Sequence, residues 1–240
     1  MKTERMQEAL GLLEELTKFG MNLGLERIRA LLAEFNNPHL SLPVIHLAGT
    51  NGKGSTAAML AAVLDQCGYR VGMFTSPHLV SYTERFTIGG APISEEDFAA
   101  LLHEVHGKFQ QVQERIGESP TEFETLTAMA FLYFTRRKVD ILLLEAGLGG
   151  DIDSTNVVER PLLSIITNVS LEHTQYLGKS SAEIAARKSG IIKKNRPVIT
   201  AAAQEDVLQV IRGKAAEQES ALFEVYREMT WQLIEETPDG

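Results

Sequence analysis

Short stretches that are apolar throughout alternate with stretches of helical periodicity along this chain. The apolar stretches read PVIHLAG, RVGMFTS, VDILLLEAG, LLSIITNVS and RPVITA. Helical patterns separate them, over residues 55–66, 95–116 and 121–137 and in a short helix whose capping pattern runs from Ser180 to Glu183. Apolar stretches without polar alternation predict strands buried on both faces of a parallel sheet, with helices as the crossovers. We therefore predict an α/β fold, a mainly parallel sheet with helices on both faces.

The two ends of the chain and one long internal segment add to this prediction. Residues 3–18 and 25–35 repeat apolar positions at helical spacing, and the polar segment FNNPHLSLP ends the second helix. Residues 76–94, SPHLVSYTERFTIGGAPIS, are predicted as a long loop. The last twenty residues, ALFEVYREMTWQLIEETPDG, predict two strands.

The composition disfavours several classes of function. The net charge is -9, and both a broad nucleic-acid footprint and an anionic membrane surface need clusters of Lys and Arg. The single cysteine, Cys67, allows neither an internal disulfide nor a zinc site built on cysteines. The start, MKTERMQEAL, lacks the apolar core of a signal peptide, and no apolar stretch reaches membrane-spanning length. We expect a cytoplasmic protein with no nucleic-acid or membrane partner.

Polar residues follow four of the predicted strands at the point where each strand ends. These segments are Gly49–Ser55, Thr75–His78, Glu145–Gly150 and Asn168–His173. In an open parallel sheet, ligands bind in the crevice outside the carboxyl ends of the strands. The sequence therefore predicts one binding site, built from these four segments at a single edge of the sheet.

The first segment has the composition of a phosphate-binding loop. Its glycines let backbone N–H groups approach a phosphate, the following helix presents its positive end, and Lys53 adds a charge. Position 47, where the common G-x-x-x-x-G-K spacing has a glycine, is Leu47. A tight strand-to-helix turn would explain the glycines, but neither Lys53 nor the hydroxyls. We predict that phosphate groups contact Gly49, Thr50, Asn51, Gly52, Lys53, Gly54 and Ser55.

Two further side chains at this edge are candidate ligands of a divalent cation. Glu145 ends the most apolar strand, where a carboxylate needs a cation or several hydrogen-bond donors. Its position resembles that of the acid that holds Mg²⁺ in phosphoryl-transfer enzymes. The alternative is that Glu145 caps the glycine-rich turn that follows it. His173 comes after another strand and is either a second ligand or a structural histidine.

A set of motifs gives this chain a family resemblance. The motifs are HLAGTNGKGS, TSPHL, PTEFETLTAMAF, LLLEAGLGGDIDSTNV, LEHTQYLG and IAARKSGIIK. Their order and spacing resemble the bifunctional folylpolyglutamate synthase and dihydrofolate synthase family, a branch of the Mur-type ATP-dependent ligases, from about residue 24 to residue 200. Gly54 favours the folate branch, because cell-wall Mur ligases usually have threonine there.

The resemblance implies a Mur-ligase-like P-loop ATPase domain in a ligase that joins the amine of L-glutamate to a carboxylate of folate or dihydropteroate. Family members use ATP to phosphorylate that carboxylate, and the glutamate amine then attacks the acyl phosphate. By the family pattern, Lys53 is catalytic, and the Mg²⁺ ligands are Ser76, Glu145 and His173. Lys188 matches a lysine that is carbamylated to help hold a second metal ion. The helix dipole alone would also explain a lysine in the last turn of a helix.

The same resemblance implies a pteroate site beside the phosphate loop. The positions that match it are Thr121, Phe123, Asp153 and Ser154, and the loop of residues 76–94 resembles the loop that lines the same pocket. An aromatic ring such as that of Phe123 suits stacking on a pteridine. The alternative is that Phe123 belongs to the helix core.

Three positions depart from the family pattern. Asp151 stands where an arginine is common, Glu172 where an aspartate precedes the histidine, and Arg187 where a glutamate precedes the lysine. We expect Asp151 to remove a cation near the anionic ligands.

The length also departs from the family. Family members continue with the rest of the ATPase domain and a carboxyl-terminal domain that supplies glutamate and nucleotide contacts. Residues 1–240 are therefore expected to be the N-terminal ATP- and pteroate-binding portion of such an enzyme, and a monomer. Two alternatives stay open: a Mur-type ligase of a cell-wall or polymer precursor, and a nucleotide-binding module without ligase chemistry.

Overall fold

The computed structural model describes residues 4–17 and 24–230. Within them, eight strands form one sheet: β1 (Val44–Ala48), β2 (Val71–Phe74), β3 (Phe86–Ile88), β4 (Ala91–Pro92), β5 (Ile141–Glu145), β6 (Leu163–Ile166), β7 (Val198–Thr200) and β8 (Leu222–Glu224). Their order across the sheet is β4-β3-β2-β5-β1-β6-β7-β8. The pairs from β2 to β8 are parallel, while β3 and β4 add two antiparallel strands at one edge. The predicted mainly parallel α/β sheet is confirmed.

Ten α-helices accompany the strands in the described ranges. They are α1 (Glu4–Thr17), α2 (Glu26–Ala33), α3 (Lys53–Gln66), α4 (Glu95–His106), α5 (Phe109–Ile116), α6 (Glu122–Arg136), α7 (Thr174–Leu177), α8 (Ser181–Lys188), α9 (Glu205–Glu217) and α10 (Val225–Glu228). None of these helices is long and apolar enough to cross a membrane.

The two faces of the sheet are covered by different helices. Successive residues of a strand point to opposite faces. Val44 of β1 and Leu142 of β5 join a large core that includes residues of α1, α2, α4 and α6. Their chain neighbours Ile45 and Leu143 belong to a smaller cluster with Ala57 of α3. Helices therefore lie on both faces, as predicted, and the central strands are fully buried.

Residues 76–94 are not one continuous loop, and this part of the prediction is wrong. They contain β3 and β4, which are joined by Gly89 and Gly90. Both glycines have positive φ, 55° and 75°, as a two-residue turn between antiparallel strands requires. The hairpin extends the sheet beyond β2.

Other differences concern breaks and ends. The helix predicted over residues 95–116 is two helices, α4 and α5, which are separated at Gly107 and Lys108; glycine lowers the stability of a helix interior. Two helices were not predicted, the single turn α7 and the longer α9. Of the two strands predicted at the C-terminus, β8 forms, but Val225–Glu228 is helical, and residues 231–240 lie outside the described part.

Candidate functional site

The carboxyl ends of β1, β2, β5 and β6 surround one cleft of about 790 Å³. The N-terminus of α6 forms its opposite wall. Eight of the predicted site residues line this cleft: Thr50, Lys53, Ser76, Thr121, Phe123, Asp153, Ser154 and His173. The structure thus brings together residues that lie as far apart in the chain as Thr50 and His173.

The phosphate loop joins β1 to α3. Gly52 caps the helix with a left-handed φ of 81°, which glycine adopts without a steric cost. The first intrahelical hydrogen bond runs from Thr56 N to Gly52 O at 2.9 Å, so the N–H groups just before Thr56 have no intrahelical partner. Lys53 folds back over the loop and donates from Nζ to Gly49 O at 2.8 Å and to Thr50 O at 3.2 Å. Lys53 and these N–H groups are the predicted phosphate contacts, and this role stays a prediction.

Glu145 lies directly beneath this loop and is buried, with 4% of its surface exposed. Its Oε2 accepts a hydrogen bond from Ser76 N at 3.3 Å, and its Oε1 is 4.0 Å from Lys53 Nζ. Burial raises the pKa of Glu145, and the Lys53 ammonium opposes this shift. The carboxylate therefore has a desolvation cost that its present neighbours offset in part.

The donor set around Glu145 fits a hard divalent cation. Mg²⁺ prefers carboxylate and hydroxyl oxygens together with phosphate oxygens and water. Ser76 contacts Glu145, and His173 lines the same cleft, as an exposed residue with a φ of 42° just before α7. Across residues 4–17 and 24–230, no group of three or more His, Cys, Asp or Glu side chains is placed to hold a metal ion. Ser76, Glu145 and His173 therefore lie at the same cleft without forming such a group among the described residues, and their role as ligands stays a prediction.

Lys188 is buried behind the phosphate loop, with 1% of its surface exposed. Its Nζ donates to Gly49 O at 2.8 Å and to Glu172 Oε1 at 2.5 Å. Burial lowers the pKa of Lys188, while the hydrogen bond with Glu172 raises it. A buried lysine with a lowered pKa has more of the neutral amine that carbamylation needs, and carbamylation itself stays a prediction.

The N-terminus of α6 positions two of the predicted pteroate contacts. Thr121 forms a capping box with Glu124: Glu124 N donates to Thr121 Oγ1 at 3.3 Å, and Thr121 N donates to Glu124 Oε2 at 2.8 Å. Arg27 of α2 donates to the same carboxylate oxygen at 3.1 Å. A Cβ added at Gly147 would lie 2.5 Å from the Phe123 ring. The half-buried Phe123 is thus packed against a glycine turn on one side and faces the cleft.

Asp153 and Ser154 hold the turn that follows β5. Asp153 Oδ2 accepts from Leu148 N at 2.7 Å, and Oδ1 accepts from Thr155 N at 2.9 Å and Thr155 Oγ1 at 2.5 Å. Ser154 Oγ is 2.7 Å from Thr127 Oγ1 of α6. Both residues line the cleft, and their contact with pteroate stays a prediction.

A histidine that sequence analysis did not single out is linked to this turn. His46, at the centre of β1, has Nε2 2.8 Å from Thr155 Oγ1. Complete burial lowers the pKa of His46 to about 3. Its Nδ1 has no hydrogen-bond partner among the described residues. His46 is therefore a neutral structural group beneath the site.

Asp151 and Arg187, two of the departures from the family pattern, contact each other. Arg187 Nη1 donates to Asp151 Oδ2 at 2.8 Å, and Asp151 N donates to Arg187 O at 2.9 Å. A Cβ added at Gly150 would lie 2.8 Å from the carbonyl oxygens of Arg187 and Lys188, so the turn and α8 touch. The expected loss of a cation at position 151 is thus offset, because Arg187 brings a guanidinium to the same place.

Sequence analysis did not single out Thr167, and it placed Asn168, Ser170, Glu172 and Arg85 in segments at the site without predicting their contacts. Thr167, Asn168 and Ser170 follow β6 and hydrogen-bond to the phosphate loop. Glu172 is the partner of Lys188. Arg85 lines the cleft from the hairpin segment. The polar run after β6 was the available signal for the first group, but its partner depends on the order of the strands in the sheet.

Comparison with known proteins assigns the chain to a family. The model of the Mur ligase middle domain matches residues 47–232. The chain belongs to the Mur ligase middle domain family. This Mur ligase domain is 44% identical over 219 residues to the dihydrofolate synthase/folylpolyglutamate synthase of Bacillus subtilis (strain 168), a match that covers 91% of the chain and 50% of that relative.

Two solved structures resemble this Mur ligase domain closely. The crystal structure of folylpolyglutamate synthase from Thermotoga maritima has a TM-score of 0.82 and 39% identity, covering 92% of this chain and 50% of that one. A complex of FPGS with AMPPCP and folate has a TM-score of 0.83 and 35% identity, covering 91% and 53%. The predicted resemblance to the folate branch is confirmed. The chain spans about half the length of the relatives it matches.

Proposed function

We propose that this chain forms the ATP- and pteroate-binding part of a ligase that adds L-glutamate to a carboxylate of folate or dihydropteroate. One observation supports this function most strongly. Lys53 and Ser76 line the same cleft as Phe123, and Glu145 lies beneath them within 4.0 Å of the lysine. The predicted phosphate contacts and an aromatic side chain therefore line one space, as transfer of a phosphoryl group from ATP to a pteroate carboxylate requires.

The phosphate end provides what phosphoryl transfer needs. The reaction depends on positioning and on neutralising charge on the transferred group, rather than on a protein nucleophile. The N–H groups at the start of α3 and the ammonium of Lys53 are donors for the β- and γ-phosphates. Mg²⁺ held by Ser76, Glu145 and His173 would neutralise charge on the phosphate oxygens when it is bound.

The chemistry divides into two displacements. A carboxylate oxygen of the pteroate substrate attacks the γ-phosphorus of ATP, and ADP leaves. The glutamate amine then attacks the acyl carbon, inorganic phosphate leaves, and the amine loses a proton as the amide forms. In this chain, Thr121, Phe123, Asp153 and Ser154 would orient the pteroate, and Lys53 would stabilise the transferred phosphoryl group. A cytoplasmic monomer is part of the same proposal.

Lys53→Ala tests the phosphate end. In a protein that carries the whole length of the ligase, we expect ATP turnover to fall at least about 100-fold, the scale for loss of one charge-stabilising donor, with an unchanged circular dichroism spectrum. Lys194→Ala, which removes an exposed lysine paired with Glu219, is the matched control. Equal turnover of Lys53→Ala and the parent would contradict the proposal.

The choice of acceptor tests the other end. Incorporation of labelled glutamate should be measured with dihydropteroate, folate and a muramoyl precursor as separate acceptors. We expect product with a pteroate acceptor and none with the muramoyl precursor. The reverse result would assign the chain to the cell-wall branch instead, and ATP binding without any glutamate product would indicate a nucleotide-binding module.

A further inference from the structure

The first half of the phosphate loop is hydrogen-bonded to the segment that follows β6. Thr50 N donates to Asn168 O at 2.8 Å, and Asn51 N donates to the side-chain Oδ1 of Asn168 at 2.9 Å. Thr167 Oγ1 donates to Asn51 O at 2.7 Å, and Ser170 N donates to Thr50 Oγ1 at 3.0 Å. We name Thr167, Asn168 and Ser170 the loop clamp.

The clamp packs against the loop without space between them. Gly49 has a φ of 149°, and a Cβ added there would lie 1.9 Å from Thr167 Oγ1. Lys53 and Lys188 both donate to the carbonyl oxygen of Gly49. The loop clamp, Lys53 and Lys188 therefore hold the loop backbone in place in the protein without nucleotide.

This contact divides the loop into two halves with different tasks. The N–H groups of Thr50 and Asn51 already donate to Asn168, so they are not free to donate to a phosphate. The N–H groups at the start of α3 have no intrahelical acceptor and can donate to a phosphate, because the intrahelical hydrogen bonds begin at Thr56. A phosphate would thus be bound by the second half of the loop while the first half serves as its support.

We propose that Asn168 is a positioning residue for nucleotide phosphates, acting through the phosphate loop. The proposal rests on the ATP-binding function proposed above. An amide side chain suits the position, because its oxygen accepts from Asn51 N without placing a negative charge beside the phosphates. Thr167 has the same role through its hydroxyl group.

Hydrogen exchange tests the contact without nucleotide. In the 240-residue chain, we expect the amides of Thr50 and Asn51 to exchange at least tenfold more slowly than those of Gly52 and Gly54. In Asn168→Ala, the Asn51 amide should speed up about tenfold. The Thr50 amide should stay protected, because its acceptor is the backbone oxygen of residue 168.

Calorimetric titration with ATP and with inorganic tripolyphosphate tests the consequence. Asn168→Ala should raise both Kd values by about fivefold, the scale of one hydrogen bond, with an unchanged unfolding temperature of the free chain. Thr167→Val should weaken binding similarly, and Thr167→Ser, which keeps the hydroxyl, should restore it. Gln204→Ala is the matched control, since Gln204 donates to Val169 O in the same segment at 3.2 Å without reaching the loop.

The outcomes separate this inference from the function on which it rests. Fast exchange of Asn51 in the parent chain would overturn the clamp. So would equal Kd values for the parent and Asn168→Ala. A parent chain that protects Asn51 yet binds neither ATP nor tripolyphosphate at millimolar concentration would overturn the proposed nucleotide function, and the phosphate role of the clamp with it.

Discussion

Glu145 is a buried carboxylate whose neighbours compensate its burial only in part. Its carboxylate is buried, and the nearest ammonium, that of Lys53, is 4.0 Å away. Glu145→Gln keeps the shape and the hydrogen bond from Ser76 N but removes the charge. If Glu145 binds Mg²⁺, we expect ATP turnover in the whole ligase to fall about 100-fold or more, and raised Mg²⁺ should not restore it.

The same substitution distinguishes the structural alternative. If Glu145 only caps the segment around it, the glutamine accepts the same hydrogen bond, and turnover survives at high Mg²⁺. The free energy of unfolding is expected to stay the same or rise in Glu145→Gln, because an incompletely paired buried charge is removed. Urea denaturation of the parent and the variant measures this.

His46 makes the stability of the protein depend on pH. Its pKa is lowered to about 3 by burial, while in the unfolded chain it is about 6.5. Between these values the unfolded state binds a proton that the folded state does not, so this contribution to stability is complete above pH 6.5 and is lost as the pH falls. The loss from His46 between pH 7.5 and pH 5.5 is about 1.4 kcal/mol.

Replacement of His46 isolates this contribution. His46→Gln keeps a polar group near Thr155 Oγ1 and cannot titrate. Urea unfolding at pH 7.5 and 5.5 should show a pH-dependent loss about 1.4 kcal/mol smaller in the variant than in the parent. His103→Gln, which replaces an exposed histidine, is the control. Parallel losses in the parent and His46→Gln would show that His46 is not the group responsible.

At the scale of elements, the turn after β5 is joined to the last turn of α8. The ion pair between Asp151 and Arg187 and the hydrogen bond from Asp151 N to Arg187 O join them. Lys188 follows directly in α8, so this junction also fixes where that lysine lies. The family pattern implies the same pair with its charges exchanged.

A charge exchange tests this junction. Asp151→Arg and Arg187→Asp should each lower the free energy of unfolding, because each brings like charges together, and the double variant should recover most of the loss. Both side chains are partly exposed, so we expect a coupling energy of about 0.5 kcal/mol. A double-mutant cycle by urea denaturation measures it. Strictly additive effects of the two single substitutions would mean that the ion pair between Asp151 and Arg187 does not contribute to stability.

Most elements that bury much apolar surface were predictable, with α9 as the exception, and most of the small ones were not. The strands β1, β2, β5, β6 and β7 follow from apolar stretches that only a doubly covered sheet can bury. The hairpin of β3 and β4 and the single turn α7 contain too few residues for a periodic signal, although the pair Gly89 and Gly90 is typical of a tight turn. Short elements of this kind are stabilised by tertiary contacts, which local sequence does not contain.

The same distinction applies to the site. Residues after strand ends, such as Lys53 and Ser76, were predictable because parallel strands place their carboxyl ends together. Asp153 was predicted only through the family resemblance. The support of the phosphate loop by Asn168 was not predictable, since it requires β1 to pair with β6. Nothing in the local sequence of either strand specifies this neighbour.

At the scale of the whole molecule, the 240 residues taken alone are not expected to make folylpolyglutamate. They span about half the length of their relatives. In the proposed reaction, water must be kept from the acyl phosphate and the glutamate amine must be held in place. His173 and Gly147 at the cleft are exposed to solvent. ATP should still bind weakly, because the phosphate loop and the proposed Mg²⁺ ligands lie before residue 174.

Mass spectrometry of product, with calorimetry of ATP in parallel, checks this prediction. The 240-residue chain should be incubated with ATP, Mg²⁺, glutamate and dihydropteroate. Clear formation of product would show that these residues suffice for the whole reaction. Absence of any heat of ATP binding at millimolar concentration would show that the nucleotide site also needs residues beyond them.

The place of β1 between β5 and β6 has a consequence for the order of events during synthesis. Thr50 is hydrogen-bonded to Ser170, 120 residues later, and both strands that flank β1 follow it by about a hundred positions. A ribosome that adds about 5–20 residues per second therefore completes Thr50 of the phosphate loop roughly 6–24 s before it adds Ser170 of the loop clamp. Until β5 is made, β1 is an apolar segment with two unpaired edges, and such segments are prone to aggregate.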